Sequence, residues 1–228
     1  MTMHSRRTTF WLWTGLFLLC WLSGPVVQGQ YYNFSFITGE DGLPQTQVTD
    51  IVQAKDGHYW VGTYGGGLGK YNSSTFRTYT TRDGLRSNVI VDILEDPSGN
   101  IWTSHSGNGV CKFDGKEFTC YGETEGLFFS DRANFLHHPG GSLYVLSQGE
   151  GLYRLEGEKF VRVNLDDGLP SDTIYSGAVD ASGMIWLGTE QGLVRFDGQQ
   201  FSMPPGNDSL VRSPIWAVTT GPDGQLWL

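Results

Sequence analysis

Asp41-Gly42-Leu43-Pro44, Asp83-Gly84-Leu85, Glu125-Gly126-Leu127 and Asp167-Gly168-Leu169-Pro170 repeat one phrase, and each glycine lies 42 residues from the next. A fixed period of this size means one supersecondary unit copied along the chain. Other landmarks keep the step. An aromatic recurs at Trp60, Trp102, Tyr144, Trp186 and Trp227, with a glycine three residues before each. Phe34, Phe76, Phe118 and Phe160 are again 42 apart, and Phe201 follows after a one-residue deletion.

Each unit reads as four short strands. In the first, Val48 to Gln53 is an apolar strand, Asp56-Gly57 turns the chain, and His58 to Thr63 is the second strand. Gly65-Gly66-Gly67 leads into Leu68 to Tyr71, residues 72–75 turn again, and Phe76 to Tyr79 is the fourth. β-branched and aromatic runs between Gly, Asp, Asn and Pro clusters carry these assignments. Four strands per unit of this length is the pattern of a β-propeller blade, and 42 residues is long for one coil of another β-solenoid. The chain therefore reads as all-β, a propeller with units at about 41–82, 83–124, 125–166, 167–206 and 207–228.

Tyr31 to Ile37 alternates apolar and polar residues in the fourth-strand register, so residues 31–37 are expected to form a closing outer strand. The fifth unit reaches Leu226-Trp227-Leu228, inside its second strand. The expectation is an incomplete propeller of four blades, part of a fifth and one closing strand, from a longer protein.

Residues 1–29 read as a secretory signal peptide: Arg6-Arg7, an apolar run from Phe10 to Leu22, Pro25, and small residues ending at Gly29. The apolar run is short for a membrane span. Ser5-Arg6-Arg7 is only a loose twin-arginine pattern, and bulky Leu18-Leu19 argue against lipid attachment at Cys20. Removing the leader takes the net charge from -9 to -11, because it carries two arginines and no acids. An acidic chain without a basic stripe argues against nucleic acid as a partner. Three N-x-S sequons, at Asn33, Asn72 and Asn207, matter only in a glycosylating host.

Cys111 and Cys120 fall on the third and fourth strands of one unit. If Gly115-Lys116 is the two-residue turn, the two cysteines face each other across the strands. A cross-strand disulfide and a pair of buried thiols both fit.

No catalytic constellation stands out. His137-His138 reads as a pair of exposed turn histidines, since neighbours on a strand point to opposite faces. The Asp/Glu-Gly-Leu phrases read as turns in which the acid caps and the glycine supplies a positive φ, ahead of a calcium reading. Gly65-Gly66-Gly67 lacks the Lys-Ser/Thr of a phosphate loop. No metal or cofactor is expected.

The loops between second and third strands share one face with those joining a fourth strand to the next unit, and there the copies diverge. The divergent positions supply the ligand-binding candidates Tyr64, Arg86, His105, Asn108, Arg132, Gln148, Glu190 and Gln191. Amides, hydroxyls, an aromatic and arginines around one depression suit a small carbohydrate or a peptide; the plainer reading is a solvated rim.

The phrases Asp41-Gly42-Leu43-Pro44, Trp60-Val61-Gly62-Thr63 and Ile185-Trp186-Leu187-Gly188-Thr189 resemble the two-component regulator propeller repeat. The resemblance covers residues 31–228. The third unit departs with Glu125, Tyr144 and Val145-Leu146-Ser147, and the second has Thr103-Ser104 where Gly-Thr is usual. The resemblance implies the extracytoplasmic sensor of a membrane-bound signalling protein. It also implies downstream domains that include a histidine kinase, a homodimer of the full-length protein, and a ligand from polysaccharide breakdown. None of the kinase's motifs is in this chain, so the chain itself is not read as an enzyme. Two alternatives stand beside this one. Gly221-Pro222-Asp223-Gly224-Gln225-Leu226-Trp227 is similar to a phrase of streptogramin-lyase propellers, and a secreted binding or scaffold propeller has the same pattern.

Overall fold

The computed structural model describes residues 35–128, 132–163, 168–204 and 212–228. The predicted leader, residues 31–34 of the predicted closing strand, Asp131, Asp167, Asn33 and Asn207 lie outside them. Of the compact unit Met1–Phe36, only Ser35 and Phe36 are described, and both are exposed. Ser35, Phe36 and Ile37 form no strand. They are the described end of the expected outer strand, whose other residues lie outside the described ones.

Ile37–Leu228 form the second compact unit. Its first blade is β1 (Val48–Gln53), β2 (Tyr59–Thr63), β3 (Leu68–Tyr71) and β4 (Phe76–Tyr79). The second is β5 (Ile90–Glu95), β6 (Ile101–His105), β7 (Val110–Phe113) and β8 (Phe118–Tyr121). The third is β9 (Ala133–His137), β10 (Leu143–Ser147), β11 (Gly151–Glu156) and β12 (Lys159–Val163). The fourth is β13 (Ile174–Val179), β14 (Ile185–Thr189), β15 (Gly192–Phe196) and β16 (Phe201–Ser202). A two-stranded piece, β17 (Thr219–Thr220) with β18 (Leu226–Trp227), follows. Each four-stranded sheet is an antiparallel meander in sequence order, and the first strand of each blade lies against the first strand of the next. In blade 1 the predicted strands agree with the observed ones, except that β2 starts at Tyr59 rather than His58.

The repeated phrase joins blades. Residues 39–41, 81–83 and 123–125 form single 3-10 turns, ending at Gly42, Gly84 and Gly126 with φ of 92°, 107° and 86°. Only glycine takes that backbone without strain. The acid closes each turn. Asp41 Oδ2 accepts from the Thr38 N–H at 2.8 Å, and Asp83 Oδ2 from the Thr80 N–H at 2.8 Å. In the third copy Glu125 Oε2 takes the N–H of Gly122 at 2.7 Å, so the longer acid does the same work. The following leucines, Leu85, Leu127 and Leu169, are buried.

Apolar packing runs between blades. Trp60 stacks on Tyr79 and meets Phe113 of blade 2 edge-on, with centroids 5.8 and 5.7 Å away. Trp102 repeats this with Tyr121 and with Phe135 of blade 3. The repeat carries a cation too. Lys70, Lys112, Arg154 and Arg195 sit across from Trp60, Trp102, Tyr144 and Trp186 on the neighbouring strand. In blades 1, 2 and 4 the cation lies within 6 Å of the ring centre, a cation–π contact. Asp96 and Asp180 accept the indole N–H of Trp102 and Trp186 at 3.1 and 2.7 Å. Burial pushes these two carboxyls upward, but the bonds they accept outweigh it and hold both below the usual carboxylate range. His138 takes the equivalent place in blade 3. It is half-buried rather than an exposed turn residue, with Nε2 2.8 Å from the Gly183 carbonyl of blade 4. This register also explains His137, which ends β9 half-buried.

Cys111 and Cys120 face each other across β7 and β8 and are joined as a disulfide. Cys111 is fully buried.

A side chain clips each inner strand to the next. Asp50 Oδ2 accepts from the Ile93 N–H at 2.8 Å, and Asp92 Oδ2 from the Phe135 N–H at 2.7 Å. Asn134 donates to the Tyr175 carbonyl at 3.3 Å, and Ser176 Oγ exchanges bonds with the backbone of Val218 at 3.1 and 3.2 Å. A register shift just before Asp50, Asp92 and Ser176 turns these side chains sideways, the usual effect of a bulge. β9 has no such shift, and its Asn134 makes the longest of these bonds.

Burial pushes the Asp92 carboxyl up to about 7, helped by the charge of Asp50. Folding thus favours the protonated acid. That share of stability is complete below about pH 4 and is lost as pH rises through about 7. Asp92→Asn keeps the acceptor and removes the titration. In denaturant unfolding across this range, the variant should gain on the wild type as pH rises, by of order a few kcal/mol. Parallel pH profiles would contradict the assignment.

Candidate functional site

The two loop sets meet as the repeat requires. The Asn88 carbonyl accepts from Gly65 and Gly67 at 3.1 and 2.9 Å, and the Asp172 carbonyl from Gly149 and Gly151 at 3.1 and 2.7 Å. Each β2–β3-type loop thus rests on the segment entering the next blade. For Gly107 and Gly109 the equivalent acceptor falls at residue 130, outside the described residues.

A cleft of about 620 Å³ opens on this face between blades 2 and 3. Arg86, Asn108, Glu123, Thr124, Phe128 and Glu150 line it, over the backbone of residues 107–109 and Gly122. The Arg86 guanidinium lies over Gly122, where a Cβ would come within 2.5 Å of it. Asn108 donates to the Ser106 carbonyl of its own loop at 2.6 Å. Glu150 is held from behind: Arg162 pairs with it at 3.3 Å and with Asp172 at 3.2 Å. Phe128 is 51% exposed, a flat apolar wall among polar groups.

Of the eight candidates read from the sequence, the cleft gathers Arg86 and Asn108. Tyr64 is half-exposed at the end of β2 and bridges to Val89. Arg132 is exposed and its carbonyl accepts the N–H of Gln148, which is half-buried and bridges to Thr173. Glu190 and Gln191 are exposed at the β14–β15 turn, apart from the cleft.

His105 departs from the expectation. It lies inside β6 with 0% exposure, not on the rim. It stands where Thr63 and Thr189 close their loops, each hydroxyl donating to the loop carbonyl at 2.8 Å. The imidazole turns instead to Thr103, with Nε2 3.2 Å from Oγ1. Ser104, beside it, replaces a close-packed glycine: at Gly62 a Cβ would sit 2.8 Å from Ile90. In blade 2 the Ser104 hydroxyl instead donates to the Ala133 carbonyl of blade 3 at 2.6 Å. The departures in this unit therefore re-wire the loop and the seam beside the cleft.

Phe128 and Glu123 were missed as candidates, although a signal existed. The fourth position of the repeated phrase reads Pro44, Arg86, Phe128, Pro170. The two copies that abandon proline both line one cleft. Among the described residues, no three His, Cys, Asp or Glu side chains are grouped to hold a metal. No described helix is long and apolar enough to cross a membrane.

The family description two-component regulator propeller matches residues 42–65 and 84–107, spanning the first two phrases and their Trp-centred strands. No curated protein matches the chain. Among solved structures, the propeller is similar to the extracellular domains of two hybrid two-component systems of B. thetaiotaomicron. One has 20% identity and a TM-score of 0.68, covering 78% of this chain and 26% of that one. The other has 19% identity and a TM-score of 0.63, covering 81% and 27%. A virginiamycin B lyase of Staphylococcus aureus shares 18% identity at a TM-score of 0.63, covering 81% and 64%. At these identities the likeness concerns the fold. The chain spans about a quarter of the length of the sensor structures it matches.

Burial pulls the His105 imidazole down to about 4, so the buried ring is neutral across physiological pH. Its ring resonances should stay fixed in an NMR titration between about pH 5.5 and 8, where an ordinary histidine moves. A midpoint near the ordinary value would place the ring in solvent.

Proposed function

We propose that this chain is part of the extracytoplasmic sensor of a membrane-bound two-component signalling protein, and that its loop-face cleft binds a small carbohydrate. The observation that carries this reading is the convergence of Arg86, Asn108, Phe128 and Glu150, all at positions where the repeat varies. Hydroxyl-rich ligands need donors, acceptors and a flat apolar surface together, and this cleft offers all three. The regulator propeller repeats and the sensor-domain neighbours support the signalling role.

The chain is exported by its leader and joined to a downstream kinase in a homodimeric full-length protein. It binds and does no chemistry itself. The cleft lies on a seam between blades, so a ligand touching both sides changes how firmly they hold together. A ligand shifts such an equilibrium only by its difference in affinity for the two arrangements. The signal then leaves as a small rigid-body displacement.

Calorimetric titration with a panel of neutral oligosaccharides tests the site. A binding sugar should lose about tenfold in affinity in Phe128→Ala and again in Arg86→Gln. Both residues are exposed, so the fold should survive either change. Sugars that bind both variants like the wild type, a panel without any binder, or a peptide binding in place of sugars would overturn the reading.

A further inference from the structure

A second groove lies at the opposite ends of the strands, between the turns of blades 1 and 2, and encloses about 560 Å³. Its chemistry emerges when the blades are superimposed on the repeat. In blades 2 and 4, Asp96 and Asp180 accept the indole N–H of Trp102 and Trp186, while Lys112 and Arg195 lie over the rings. Blade 1 keeps the aromatic and the cation, with Lys70 5.1 Å from the centre of Trp60. It lacks the acid: the 42-residue step puts Ala54 where Asp96 stands. Ala54 and Trp60 both line the groove, and no described side chain accepts from the Trp60 indole N–H.

The groove also gathers cations. Arg77 lies 4.7 Å from the Tyr79 ring centre and has no carboxylate partner among the described residues. The Lys55 ammonium rests on the carbonyls of Asp96 and Pro97. The acids present are engaged. Asp56 pairs with Lys70 at 3.2 Å and with His58 at 2.9 Å, and Glu95 accepts the Lys55 N–H at 2.9 Å. Three lysine and arginine heads thus face two carboxylates, on a chain whose net charge is -9.

We propose that this groove binds a small organic carboxylate, whose anionic head takes the place that Asp96 and Asp180 fill in blades 2 and 4. The head accepts from the Trp60 indole N–H and pairs with Lys70 and Arg77. Charge-assisted bonds of this kind are among the stronger polar contacts, and guanidinium matches carboxylate geometry. The remaining volume accommodates the body of the acid beside the polar Asn72, Thr75 and Ser98. The site is independent of the loop-face cleft and of the ligand proposed for it.

The test is an NMR titration of the full chain, labelled with ¹⁵N, following the Trp60 indole N–H. The probes are acetate, glucuronate, and glucose as the neutral counterpart of glucuronate. Glucuronate or acetate should move the Trp60 peak saturably, and glucose should not. Arg77→Gln should weaken the effect about tenfold. Ala54→Asp supplies the acid from within the chain, so it should abolish the response while unfolding at least as late as the wild type. Arg86→Gln and Phe128→Ala, in the other cleft, should leave it unchanged. An immobile Trp60 peak with both carboxylates, equal shifts with glucose, or undiminished binding in Ala54→Asp each sinks the proposal.

Discussion

Each blade's innermost strand has a sheet on one side only, and its other edge must be satisfied by something that is not a strand. The clips from Asp50, Asp92, Asn134 and Ser176 meet that constraint. One side chain reaches sideways and bonds the backbone of the next inner strand. An unpaired strand edge is otherwise a hazard. The aromatic packing between blades and the meeting of the loops depend on this spacing. The site does too, because the cleft is a gap between two blades held at a set distance by Asp92.

The fold was legible because a repeat multiplies evidence. One unit's strands are ambiguous, but glycines and aromatics returning in phase leave one reading. The acid-glycine turns were legible for the same reason, and the structure shows the acid and glycine roles expected of them. The clips were not, because their position reads Asp, Asp, Asn, Ser, and no single residue type flags it. His105 was misplaced by the loop rule itself. The position ending a second strand holds Thr63 or Thr189, buried and turned inward, and His105 inherits that burial along with the register.

The candidate site was half legible. Divergence among copies pointed to the right face and picked out Arg86 and Asn108, but adjacency across a seam is not written in any one unit. Tyr64, Glu190 and Gln191 diverge as much and lie elsewhere on the rim. What separates them is which blades meet. Arg86 leads into blade 2 and Phe128 toward blade 3, so their side chains share one gap although 42 residues part them. A repeat protein makes its sites this way, from the broken positions of a pattern that is otherwise kept.

The Cys111–Cys120 bond sits in the blade where His105 and Ser104 re-wire the loop and the seam. Cys111 has no exposed surface in the finished blade, whereas Cys120 is only half-buried, so Cys120 is the sulfur that a redox partner meets. Exchange at this crosslink therefore runs through Cys120, with Cys111 as its buried partner. Bonds of this kind form and persist where the surroundings are oxidising. The outermost hairpin of this blade is thus tied by a covalent bond that its surroundings address through a single sulfur.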